Sequence, residues 1–187
     1  QSGLEILDEI GVRPLSDELD INFDSRFASW LRRSRISSAL ARVQSLHGDM
    51  ELRILGMGSE AVVFTDEKTV FKCIDYWKTR IPSRELNFLN SQVGKWTNAK
   101  GLYSMSSIRL DGTWAVITYQ FEESTLYEGG HLDDMLELLS SCANEGIVCN
   151  NIAPKNLIVT KSQVKLIDYG SDIRPWTPLG FEHMSRR

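Results

Sequence analysis

The sequence predicts an α+β domain in two lobes, on three observations. Between residues 50 and 121, short apolar runs of strand length alternate with turn signals at 56–60 (GMGSE), Asp66-Glu67-Lys68 and Asp111-Gly112. Residues 24–46 and 131–145 instead place apolar residues at helical spacing. A second group of strand-length runs, Leu157-Ile158-Val159 and Val164-Lys165-Leu166-Ile167, follows the second helical stretch. The expected plan is a small lobe, an antiparallel sheet of about five strands with one helix, and a large lobe that is minimal or truncated. By segment, residues 1–49 form an extension with an amphipathic helix, 50–121 the small lobe and 122–187 the large lobe.

Composition bounds the function. With 187 residues, 42% of them hydrophobic, the chain can bury a sizeable core. A net charge of −4 argues against a surface committed to nucleic acid. Cys73, Cys142 and Cys149 show no CxxC spacing and are odd in number, which suggests neither a zinc site nor a disulfide framework and points to a reducing cytoplasm. No run of about 18 apolar residues predicts a membrane span. The chain starts at Gln1 and stops at Arg186-Arg187 inside a helical pattern, so a piece of a longer protein is expected.

Each element has a local reason. Pro14 interrupts the first 24 residues, which are read as an irregular lead-in without a secure helix. From Asp24, an N-cap, Phe27, Trp30, Leu31, Ile36, Leu40 and Val43 make an amphipathic helix to Leu46, with a break near Ser34. Its Arg32, Arg33 and Arg35 read as a solvated basic face, the usual fate of such runs, or as contacts for phosphates or a partner's acids. Strands are expected at 50–55, at 69–72 ending in Lys72, and on either side of Asp111-Gly112. A short helix spans Glu85, Leu86 and Leu89. The helix over 131–145 turns Leu132, Met135, Leu136 and Leu139 inward and ends at Gly146, suited to the C′ position.

The ordered motifs resemble the protein kinase-like superfamily. Gly56, Gly58 and Ala61, followed by Val63, fit the glycine-rich hairpin, with alanine at its third glycine position. Asn150, Asn151 and Asn156, followed by Asp168-Tyr169-Gly170, fit the catalytic and metal-binding loops. The compact hairpin is distantly similar to the small RIO-type kinases. The resemblance implies ATP with Mg²⁺ as ligands. Lys72 would reach the α and β phosphates and pair with Glu85, while Asn156 and Asp168 would hold the metal. Thr118 would be the gatekeeper, Tyr119 to Phe121 the hinge, and Val63, Val70 and Ile158 the walls around the base.

One position departs from the family pattern: Asn151 occupies the place of the catalytic aspartate. An amide is not basic enough to take a hydroxyl proton, and losing a positioned base removes about 10²–10⁴-fold of rate. The resemblance therefore implies a nucleotide-binding pseudokinase that regulates or scaffolds a larger protein, with a protein partner or attached domain. The alternatives are an atypical small kinase or nucleotidyl-transferring enzyme, and an interaction module without nucleotide.

Overall fold

A computed structural model gives the structure of the protein. It describes residues 3–15, 26–76, 81–161, 163–167, 169–170 and 172–186, with only the backbone at 4, 6 and 26–31. The expected N-cap at Asp24 lies outside the described residues, as do the side chains of Phe27, Trp30 and Leu31. The chain forms two compact units, Gln1–Arg80 with Ser107–Phe121, and Ile81–Ser106 with Glu122–Arg187.

The first unit contains helices α1 (Gly3–Ile10) and α2 (Arg26–His47) and strands β1 (Arg13–Pro14), β2 (Arg53–Met57), β3 (Ala61–Thr65), β4 (Thr69–Asp75), from Ser107 onward β5 (Met105–Asp111), and β6 (Trp114–Gln120). The six strands run in the order β1-β2-β3-β4-β6-β5. β1 pairs parallel to β2, whereas β2, β3, β4 and β6 pair antiparallel in succession. The sheet thus has one strand more than expected, supplied by the lead-in. That lead-in also holds a helix: Pro14 lies beyond the end of α1, so it does not interfere. α1 closes at Gly11, whose φ of 78° lets the N–H of Gly11 bond to Asp8 O and that of Val12 to Leu7 O.

Strand alternation sorts this sheet into two faces. Ile54, Val62, Phe64, Phe71, Cys73, Trp114 and Val116 form one core with Ile36, Ala39 and Val43 of α2 and Leu7 and Val12 from the lead-in. Residues directly opposite in an antiparallel register share a face, so the other face carries Val63 with Lys72 and Ile117, and Val70 with Tyr119. Each fully buried aliphatic side chain stabilises by about 1.5–3 kcal/mol, so this apolar face holds α2 in place. α2 is continuous through Ser34. The turn between β5 and β6 falls at Gly112-Thr113, one residue later than expected, because the positive φ belongs to Gly112 (59°).

The second unit contains α3 (Ser83–Ser91), α4 (Leu132–Asn144), α5 (Pro178–Ser185), β7 (Ser124–Leu126), β8 (Ile147–Cys149), β9 (Leu157–Thr160), β10 (Val164–Leu166) and β11 (Ile173–Pro175). The hairpin expected from the two apolar runs is β9-β10, with β7 added on the far side of β9. β8 pairs antiparallel with β11 and carries α4 and α5 against it.

The inward face of α4 differs from the expectation. Leu132 and Leu136 are 71% and 52% exposed, whereas Leu138 and Cys142 are buried. Gly101 explains the choice. Its φ is 78°, and a Cβ placed there would lie 2.8 Å from the Cβ of Leu138, so only glycine allows the backbone so close to this turn of the helix.

Candidate functional site

The glycine-rich segment is the turn between β2 and β3. Gly58 N donates to Ala61 O at 2.9 Å and closes the turn. The pairing of β2 with β3 slips between Ile54 and Gly56, which places Gly56 opposite Val63. Nothing lies within 4 Å of where a Cβ would stand on Gly56 or Gly58, so the protein itself leaves the space beside both glycines open.

On β4, Lys72 lies between Val63 of β3 and Ile117 of β6, on the face turned away from α2. It is a buried lysine, 4% exposed. Val70 and Tyr119 are neighbours on this face. Thr118 is not: it lies opposite Phe71, on the face of α2, and its Oγ1 is 2.7 Å from Ser107 Oγ. The residues of β6 that share Lys72's face are Ile117 and Tyr119, because alternation excludes the residue between them. Phe121, read as the end of the hinge, donates its backbone N–H to Lys68 O at 2.9 Å, so that donor is already engaged within the unit.

The second unit holds the other motif residues. Pro154–Asn156 is a single 3-10 turn between β8 and β9. The Asn156 side chain donates from Nδ2 to the backbone oxygen of Asn151 at 2.9 Å, and its backbone oxygen accepts from Ile167 N at 3.0 Å. With Nδ2 committed, the carbonyl oxygen Oδ1 is the atom of this side chain suited to a hard cation, which is the donor type Mg²⁺ takes. Asn150 N donates to Asp172 O at 2.9 Å, tying the two ends of the motif together.

Asp168 lies outside the described residues. Its neighbour Tyr169 is fully buried: the hydroxyl accepts from Tyr103 N, and the ring packs tilted against Trp96 with centroids 5.7 Å apart. Among the described residues, no group of three or more His, Cys, Asp or Glu side chains gathers as a metal site.

Glu85 stands on α3 and is 3.4 Å from Arg174 Nη2 of β11, an ion pair the sequence reading did not anticipate. Beside it, a cavity of about 400 Å³ is lined by Asn150, Arg174, Leu179 and His183 among others. Ile158, on β9, lies opposite Lys165 of β10 and Leu126 of β7.

No protein-family model and no curated protein sequence matches the chain. Among solved structures it is similar to the kinase domain of PF14_0431, with a TM-score of 0.51 and 16% identity over 67% of this chain and 51% of that one. The fold is kinase-like. The chain spans about half the length of that kinase domain (51%). In this kinase-like domain no described helix is long and apolar enough to cross a membrane.

Proposed function

We propose that this kinase-like domain is a pseudokinase: it binds Mg·ATP, transfers no phosphoryl group at a useful rate, and serves as a regulatory or scaffolding part of a larger protein. The carrying observation is the pair Asn151 and Asn156. Asn156 keeps an oxygen for a cation, while the position of the proton acceptor holds an amide whose backbone oxygen braces Asn156. In phosphoryl transfer the positioned carboxylate accepts the hydroxyl proton, and lysine and metal carry the charge of the phosphates. On this reading the second set of groups is kept without the first.

On this reading, the glycine-rich turn and Lys72 would hold phosphate, with Val63, Val70 and Ile117 on the face that Lys72 shares. Asn156 and Asp168 would be the ligands for Mg²⁺. When bound, Mg²⁺ would neutralise phosphate charge. Lys72 would add its own cation on the face it shares with Val63, and its burial favours strong pairing with an anion.

Thermal unfolding with and without Mg·ATP tests the proposal. At about 100 times its Kd the nucleotide stabilises by about 2.7 kcal/mol. Lys72→Ala and Asp168→Ala should each remove that gain. Full stabilisation in both variants refutes the assignment of the nucleotide site. Robust transfer of γ-labelled phosphate by the unaltered protein, abolished by Asp168→Ala, refutes the pseudokinase reading and leaves an atypical transferase.

A further inference from the structure

Arg35 belongs to none of the kinase-like motifs, yet it grips the glycine-rich turn. From α2 its guanidinium donates through Nη1 to Gly58 O at 2.8 Å and through Nη2 to Ser59 O at 2.9 Å. Both acceptors lie between the end of β2 at Met57 and the start of β3 at Ala61. The arginine is half-buried. Burial lowers its pKa, and the carboxylates of Asp75 and Glu60 act against that, so the cation is held between acids and carbonyls.

The geometry has a directional consequence. In a planar trans peptide the C=O and the following N–H point to opposite sides. Turning the oxygens of Gly58 and Ser59 toward α2 therefore turns the N–H groups of Ser59 and Glu60 away from it. α2 covers the face of Phe64 and Phe71, and Lys72 lies on the opposite face with Val63. The two donors are thus presented to the side of the sheet that carries the lysine.

We infer that Arg35 is a positioning residue for nucleotide phosphate: it locks the glycine-rich turn so that successive backbone N–H groups face the anion beside Lys72. This inference rests on the nucleotide-binding reading above. Two consecutive carbonyls suit the fork of a guanidinium, and a lysine ammonium can satisfy them only as a point donor. Aligned N–H groups are a general means of holding phosphate.

The test compares the unaltered protein, Arg35→Gln and Arg35→Lys in three measurements: calorimetric affinity for Mg·ATP, affinity for adenosine, and hydrogen exchange at residues 58–61 without ligand. The expected result is about tenfold weaker Mg·ATP binding in Arg35→Gln with adenosine affinity unchanged, faster exchange at Ser59 and Glu60, and partial recovery in Arg35→Lys. Equal loss of ATP and adenosine affinity would mean a general structural role and overturns the inference. So does unchanged Mg·ATP affinity in Arg35→Gln. If the unaltered protein binds neither ligand, the nucleotide reading itself fails and takes this inference with it. Failure of the inference alone appears only in the variants.

Discussion

Asn156 and Asn151 are joined across the 3-10 turn by one hydrogen bond, side-chain Nδ2 to backbone oxygen, at 2.9 Å. Asn156 is buried and Asn151 half-buried. The bond couples the backbone at Asn151 to the orientation of the amide five residues later.

Asn156→Ala should therefore lose two things together. Leaving the half-buried Asn151 oxygen without this donor costs up to about 1–3 kcal/mol, which at about 2–4 °C per kcal/mol for a chain of this size lowers Tm by several degrees. If the protein binds Mg·ATP as proposed, the stabilisation by that ligand should vanish as well. A variant with the native Tm would show that the bond contributes nothing.

Asn151→Asp introduces a carboxylate without disturbing the backbone oxygen that Asn156 uses. Only slight phosphoryl transfer is expected, because Asn150 and Cys149 flank the position. Measured as phosphate released from γ-labelled ATP, a gain beyond about 10⁴-fold over the unaltered protein would exceed what a single positioned base supplies.

Gly101→Ala tests the packing of α4. The added Cβ would stand 2.8 Å from Leu138 Cβ and 3.2 Å from its Cα, so the clash is with atoms near the helix backbone. Overpacking of this kind costs about 1–3 kcal/mol, and the positive φ adds to it. Urea unfolding should show a lower midpoint with the slope unchanged, whereas an unaltered midpoint would mean that the second unit relaxes around the methyl group.

The Cys142 thiol sets a pH dependence. Burial raises its pKa from 9.0 to about 12, with Cys149 adding to the rise and a backbone hydrogen bond opposing it. The folded thiol stays protonated where the unfolded one ionises, so its contribution is complete below about pH 9 and is lost between about 9 and 12. The slope is at most about 1.4 kcal/mol per pH unit for one group. Urea midpoints measured from pH 7.5 to 11 should stay level and then fall. Cys142→Ala should soften that fall without removing it, since the buried Cys73 thiol is also raised.

Much of this could be read from the residues, and the gaps have physical causes. The β9-β10 hairpin and the turn at Asp66 to Lys68 were legible because strand period and turn chemistry are local signals. The inward face of α4 was not, since leucine or methionine at 132, 135, 136, 138 and 139 covers too wide an arc for periodicity to choose. A contact with Gly101, more than 30 residues earlier, makes the choice. Thr118 fits a motif alignment, but a one-residue step on a strand reverses the face, and only the register with Phe71 reveals it. Arg35 reads as one more charge in a basic run until its carbonyl partners, 23 and 24 residues away, are known.

The two-residue strand β1 lies at the margin of the six-stranded sheet, where Arg13 and Pro14 align with Arg53 and Ile54 and Leu15 N donates to Ile54 O. Proline offers no N–H to a further strand, which makes it a stopper against growth of the sheet. A fragment begun at residue 50, where the kinase-like motifs start, would uncover β2 together with the apolar face under α2. It should then associate edge to edge, so the first 49 residues act for this sheet as a built-in guard against self-association.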